Sequence, residues 1–229
     1  MNDTSQLALG AAAALGLAGI WVWRQRPALR TLHRANAMAL ALFLAVHVLG
    51  HLAGLAGAAA HQAVLEALRS WYRQPVVEGW LLAGVAFQAG SGLTLLWRGW
   101  NQRNGAVAWV QAVSGAYLAL FLLIHVAAVL AARRQGVDTN LEFAAAGMHN
   151  PPWHWFFGPY YFLAVLALCT HVGCALYWRL PAGQRTVALA AALGVGVLLA
   201  ATLVAMLAGG WQWLGILLAA GPCTGSAVA

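Results

Sequence analysis

Long apolar runs, separated by short polar segments, extend along most of this 229-residue chain. Runs of about 20 residues with almost no charge are long enough to cross a hydrocarbon core of about 30 Å as α-helices. The pattern predicts six such spans, at about 7–23, 36–57, 77–97, 106–132, 159–178 and 186–208. We therefore expect an all-α fold, a polytopic transmembrane helix bundle that forms a single domain over residues 1–229.

The composition supports this assignment and narrows the function. Hydrophobic residues make up 62% of the chain and charged residues only 7%, which excludes a soluble fold. The sequence contains no lysine, so a retinal-type Schiff base and a lysine-based catalyst are both excluded. The formal charge of +7 is typical of contact with anionic membrane lipid, and no motif supports nucleic-acid binding.

The arginines predict the orientation of the spans. Eight of them fall in three alternate loops and four fall in the other loops, so the first group is expected to be cytoplasmic. The first group is Arg24, Arg26, Arg30, Arg34, Arg98, Arg103, Arg179 and Arg185; the second is Arg69, Arg73, Arg133 and Arg134. Both termini are then on the outer, periplasmic side, and the chain is expected to be a multi-pass protein of a bacterial inner membrane.

Two segments on the predicted outer side are long enough to form structure of their own. Residues 58–76 mix apolar and charged positions in a pattern suited to a short interfacial helix. Residues 133–158 contain Pro151-Pro152, which rules out a continuous helix there. The aromatic residues of this second segment predict an interface belt or a cap over a pocket.

Histidines inside the apolar spans are the main functional signal. His47 and His51 lie one helical turn apart in span 36–57, and His125 and His171 each lie in a further span. An ionisable ring is costly in a membrane interior unless a function requires it. Several buried imidazoles on separate helices indicate a bound metal centre, and haem is the first one to consider.

The neighbours of the histidine pair favour a flat ligand. Positions 47, 50, 51 and 54 form one helical stripe that reads His, Gly, His, Gly. Two glycines beside two imidazoles predict a trough for a macrocycle, although the same stripe also suits a close helix-packing seam. By helical rise, His51 and His125 lie about 24 and 28 Å from the cytoplasmic ends of their spans, at matching depth.

A polar face on span 77–97 carries the next candidate. Gly84, Gln88, Ser91 and Gly92 share this face, and Gln88 is expected to hydrogen-bond a propionate, a quinone or an imidazole, or to join two helices. The remaining histidines lie in loops or at span ends and are expected to be solvated; three of them offer a weak alternative metal site. These four histidines are His33, His61, His149 and His154, and the last three form the alternative site.

These features resemble the membrane-anchor cytochrome b of succinate dehydrogenases and fumarate reductases, in the form with five helices in one chain. Residues 36–208 would be the five-helix core, and span 7–23 an added N-terminal helix. The motif Ser114-Gly115 followed by Phe121 to His125 resembles the third core helix, and Phe87 to Leu93 resembles the second. The sequence departs from the family where Gln88 stands in place of the histidine that helps to hold the inner haem.

The resemblance implies which residues would hold a cofactor. The first and third core helices would ligate the outer haem iron through His51 and His125, with His47 as an alternative ligand or neighbour. His171 matches the histidine that the fourth core helix gives to an inner haem. The implied cofactor is haem b, one or two per chain.

Three functions follow as hypotheses. The first is a b-type cytochrome that transfers electrons between a quinone and a partner subunit, an electron-transfer subunit rather than a stand-alone enzyme. The second is a membrane-embedded enzyme with non-haem copper, zinc or iron held only by histidines, at His47, His51, His125 and His171. The third is a structural or transport subunit without redox chemistry, in which the histidines only pack and hydrogen-bond.

Overall fold

The computed structural model describes residues 26–210, so the predicted span 7–23 lies outside the described part. Seven α-helices follow one another in that part. They are α1 (Arg26–Leu52), α2 (Ala58–Tyr72), α3 (Pro75–Arg98), α4 (Ala106–Arg134), α5 (Leu141–His149), α6 (His154–Tyr177) and α7 (Ala182–Ala205). Short turns of other helix types follow α1 at Ala53–Ala56, α3 at Trp100–Gln102 and α7 at Met206–Gly210.

Five of these helices are long and apolar enough to cross a membrane: Leu29–Ala56, Pro75–Arg98, Ala106–Arg134, His154–Tyr177 and Ala182–Gly210. They coincide with the second to sixth predicted spans, which confirms the apolar helices of this region. The predicted start of the second span at residue 36 is wrong for the helix, because α1 begins at Arg26. Hydropathy marks only the apolar part of a helix, and α1 continues through its polar first turns.

The connections between α3 and α4 (99–105) and between α6 and α7 (178–181) are short, so each of these pairs is antiparallel, whereas the other two connections contain the short helices α2 and α5. Helix α6 packs extensively on α7, and small residues let these two backbones come close. A Cβ atom added to Gly173 would lie 2.7 Å from Cβ of Ala192, and one added to Gly196 would lie 2.8 Å from Cβ of Cys169. Both glycines are therefore packing positions in the interface between α6 and α7.

The short helices α2 and α5 cover one end of the bundle, which we call the α2–α5 end. Arg69 of α2 forms a salt bridge of 2.7 Å with Asp138, and Arg73 donates a hydrogen bond of 3.0 Å to the hydroxyl of Thr139. Beneath α5 lies a buried apolar cluster shared with α7 and the turn that follows it. Its members are Leu141, Ala145, Leu203, Met206 and Leu207.

Two local predictions concern this end. Residues 58–76 contain the helix α2, as the pattern predicted. Helix α5 ends at His149 and α6 begins at His154, so the predicted break at Pro151-Pro152 is confirmed. Glu78 at the start of α3 is paired with Arg133 at the end of α4, which joins these two helices at the same end of the bundle.

Candidate functional site

Four imidazoles lie in a row near the α2–α5 end of the bundle. The ring centre of His61 is 5.5 Å from that of His51, His51 is 4.8 Å from His47, and His47 is 6.2 Å from His125. Helix α1 supplies the middle two, α2 supplies the first and α4 the last. We call these four residues the imidazole row. The structure thus brings together three of the predicted site residues from two separate spans.

Aromatic side chains on the same helices support the two histidines at the far end of the row. The ring of Phe43 stacks on His47 at 5.6 Å, with 19° between the ring planes. The ring of Phe121 stacks on His125 at 5.2 Å, with 14° between the planes. Each pair is spaced four residues apart on its helix, so side chains one turn apart hold both imidazoles in place.

His61 is the member of the row that the sequence did not predict. The expectation that it is solvated is wrong, since only 2% of its surface is exposed. Its Nε2 lies 3.4 Å from Nδ1 of His51. Positions 61, 64, 65 and 68 share one face of α2, so the apolar stripe of this helix was the signal that His61 faces inward.

The electrostatic surroundings keep His61 neutral. Burial, together with the charge of Arg69 on the same helix, lowers the pKa of His61 below its ordinary value of 6.5. Its Nδ1 is buried and has no hydrogen-bond partner within residues 26–210. A neutral imidazole can donate through one ring nitrogen and accept through the other, so His61 can take either role toward His51.

Gly50 of α1 and Gly54 in the turn that follows it do not leave an open trough. A Cβ atom on Gly54 would lie 2.6 Å from Sδ of Met206, and one on Gly50 would lie 3.1 Å from a methyl group of Leu68. Side chains of α2 and of the turn after α7 therefore fill this stripe. The prediction of a trough for a macrocycle along Gly50 and Gly54 is wrong, and the glycines are packing positions.

Gln88 lies in a polar network between α3 and α1. Its amide nitrogen donates to Nε2 of His33 over 3.1 Å, and its amide oxygen accepts from Asn36 over 2.7 Å. Nδ1 of His33 lies 2.8 Å from the hydroxyl of Ser91. The expectation that His33 is solvated is therefore wrong, because both of its ring nitrogens have partners on α3. Of the roles expected for Gln88, the structure shows the hydrogen bond to an imidazole and the link between two helices.

His171 lies apart from the imidazole row. Its Nδ1 is 3.0 Å from the backbone carbonyl oxygen of Gln111, and its ring packs against Gly115. Gln111 precedes His125 on α4 by roughly four turns, or about 20 Å along the helix axis. Since a backbone carbonyl only accepts, Nδ1 of His171 carries the proton and Nε2 has the lone pair.

The geometry bears on which kind of cofactor could bind. Within the described residues 26–210, no three histidine, cysteine, aspartate or glutamate side chains form a group that could hold a metal ion. The imidazoles of the row follow one another instead of surrounding a common point. This arrangement favours a cofactor that needs two protein ligands over a bare metal ion that needs three or four protein ligands. The same holds for the alternative site at His61, His149 and His154.

An aromatic cleft lies on α4 and α6 beside the row. Its volume is about 260 Å³, and it is bordered by Phe121, the residue that stacks on His125. Tyr160 lies in the same lining, and its backbone carbonyl accepts a 3.0 Å hydrogen bond from the hydroxyl of Tyr117. Trp155 and Phe156 at its edge are exposed, so the cleft lies on the surface that would face lipid.

Comparisons with protein-family models, with curated proteins and with solved structures find no match to this chain.

Proposed function

We propose that this protein is a membrane b-type cytochrome in which His47 and His125 would hold one haem b. The observation that carries the proposal is the 6.2 Å between the centres of these two rings. Two imidazoles on opposite sides of one metal ion, with metal–nitrogen bonds of about 2 Å, have ring centres about 6 Å apart. The macrocycle itself supplies the other four ligands, so two histidines are sufficient.

The surrounding residues suit this role. Phe43 and Phe121 stack on the two imidazoles and restrict rotation of the rings. With both imidazoles bound to its iron, a haem would supply one-electron transfer and would leave no open position for oxygen chemistry. This favours electron transfer over the non-haem enzyme, for which the described residues offer no group of ligands.

The choice of His47 differs from the expectation based on depth, which paired His51 with His125. His51 directs its Nδ1 toward His61, whereas the ring of His47 is the one in contact with His125. His51 is thus assigned a place beside the ligand pair. Nε2 of His171 has the lone pair that could bind iron, but Gln88, which occupies the position of its partner in the resembled family, is bonded to His33 and Asn36.

A lipid-soluble quinone and a partner subunit complete the proposal. The cleft beside Phe121 lies on the lipid-facing surface and is lined by aromatic rings, which suits a flat apolar electron carrier. The five apolar helices leave no room for a soluble catalytic domain within residues 26–210, so a partner protein would exchange electrons with the haem. The arginine pattern supports an orientation with the arginine-rich loops in the cytoplasm, and we propose a bacterial inner membrane as the location.

A reduced-minus-oxidised visible spectrum of the detergent-purified protein tests the proposal, together with a pyridine haemochrome assay that counts haem per chain. We expect one haem b per chain in the wild type, and loss of it in His47→Ala and in His125→Ala. The matched controls His154→Ala and His171→Ala should retain it.

The variants also separate the two α1 histidines. His51→Ala should keep the haem with an altered spectrum if His47 is the ligand. Loss of haem in His51→Ala with retention in His47→Ala would reverse the assignment. Absence of haem from wild-type protein that is produced with ample haem supply would overturn the cytochrome proposal.

A further inference from the structure

We propose that His61 is a positioning residue that holds the imidazole of His51 against His47 and so sets the orientation of His47 toward His125. This inference rests on the proposed function, because it concerns the ligand pair of the same haem site. It assigns to the short helix α2 a part in the cofactor site, beyond that of an interfacial helix.

The contacts along the imidazole row connect His61 to His47 through His51. His61 and His51 are nearly parallel, with 28° between their ring planes and 3.4 Å between Nε2 and Nδ1. His51 then meets His47 edge to face, at 84°. Rotation of the His51 ring about its χ2 angle would break both contacts at once. The bond to His61 therefore opposes a rotation that would release His47.

His61 itself is firmly held by the packing of its helix. Its helix is held at two further points, by the packing of Leu68 against Gly50 and by the salt bridge between Arg69 and Asp138. The side chain of His61 is one of the largest fully buried side chains of the described residues. A buried imidazole on an anchored helix is a rigid reference for the ring that it contacts.

Loss of the contact between His61 and His51 is expected to weaken the binding of haem. Hydrogen-bond partners of metal-ligating residues fix ring orientation, and their loss lowers metal affinity about 10- to 100-fold. His61 acts through one intervening ring, so we expect an effect near the lower end of that range.

The two imidazole planes of His47 and His125 lie 71° apart, and the EPR spectrum of a ferric bis-imidazole haem depends on this angle.

The experiment uses the full-length holoprotein and three variants. His61→Phe keeps a ring and removes the hydrogen bond, whereas His61→Gln keeps a side chain that can bond to Nδ1 of His51. His154→Phe is the matched control, because His154 lies at the same end of the bundle and contacts Trp155 instead of the row. The measurements are the low-field g value of the ferric haem and the rate of haem transfer to excess apomyoglobin.

We expect His61→Phe to shift the g value and to lose haem about 10-fold faster than the wild type, in line with the loss of a ligand's hydrogen-bond partner. His61→Gln should restore both properties toward wild type, and His154→Phe should leave both unchanged. A His61→Phe protein that matches the wild type in both measurements would overturn the positioning role and leave the cytochrome proposal intact.

Two further outcomes also decide the matter. Equal changes in His61→Phe and His61→Gln would mean that the site needs only the shape of His61, which contradicts positioning through a hydrogen bond. If His61→Phe does not fold, a folded His61→Gln with a shifted g value contradicts the proposal, and one with the wild-type value supports it. A wild type without haem overturns both proposals together.

Discussion

The side-chain amide of Gln88 on α3 donates a hydrogen bond to Nε2 of His33 on α1, over 3.1 Å. The other end of the same amide accepts a bond from Asn36, so both ends of Gln88 are used to join α1 to α3. Each end of the amide thus has one protein partner on α1, which fixes the side chain across the interface between α1 and α3. This relationship gives Gln88 a structural role at a position where the resembled family would have a haem ligand.

Gln88→Leu should therefore destabilise the bundle without changing the haem content. Hydrogen bonds between membrane helices contribute about 0.6 to 1.7 kcal/mol each, so a loss of about 1 to 2 kcal/mol is expected when His33 and Asn36 lose their partner. Thermal unfolding in detergent measures the loss, and the haemochrome assay measures haem per chain. The exposed Gln102→Leu is the control. Loss of haem at unchanged stability would show that Gln88 serves a cofactor after all.

Two glycines on α7 should respond differently to the same substitution. A Cβ atom on Gly196 would lie 2.8 Å from Cβ of Cys169, whereas one on Gly194 would have nothing within 4 Å. Gly196→Ala should cost about 1 to 3 kcal/mol, as overpacking in a tight interface does. Gly194→Ala should be neutral or slightly stabilising, because alanine is the better helix former. Equal effects in thermal unfolding would contradict the close packing of α6 on α7.

The ion pair of Glu78 and Arg133 should contribute measurably to stability. Both side chains are about three-quarters shielded, at 25% and 29% exposure, and two hydrogen bonds join them. A double-mutant cycle with Glu78→Gln and Arg133→Gln should give a coupling of about 1 kcal/mol, near the upper end for surface pairs. The coupling should weaken in high salt. Glu66→Gln, at an exposed position on α2, should show no such coupling with Arg133→Gln.

Acid should destabilise the protein in part through His61. Burial and Arg69 lower the pKa of this imidazole in the folded state below its ordinary 6.5. The unfolded chain then binds a proton more readily, so the free energy of unfolding falls as the pH drops below 6.5. Well above pH 6.5 the imidazole is neutral in both states, and its titration does not change the free energy of unfolding. His61→Gln should make this acid dependence shallower. Parallel curves for wild type and His61→Gln between pH 7.5 and 5 would contradict the shift.

The histidines illustrate what local sequence can and cannot predict about the site. His47, His51 and His125 were singled out because an imidazole within an apolar run needs a reason to be there, and the structure brings these three together. His61 lies in a short segment where a histidine is usually solvated. The apolar stripe of α2 indicates that His61 faces inward, but which residues it meets there depends on how α2 packs across the end of the bundle.

The glycine stripe shows the same limit from the opposite direction. Glycine at positions 50 and 54 allows a neighbour to come near, and the sequence leaves a macrocycle and a packed helix as alternative neighbours. What comes near was decided by segments far away in the chain, Leu68 of α2 and Met206 after α7. A stripe of small residues predicts contact, and its partner can be a side chain as readily as a cofactor.

Local sequence is sufficient to predict the all-helical architecture of residues 26–210, the five apolar helices and the break at Pro151-Pro152. These properties follow from hydropathy over about 20 residues and from proline geometry, both of which are local. Three features of the site depend instead on how the helices pack together: His61 joins the imidazole row, the ring of His47 faces His125, and Gln88 is bonded to His33. Each of these depends on the rotation of one helix about its axis relative to another, which is set by packing across the whole bundle.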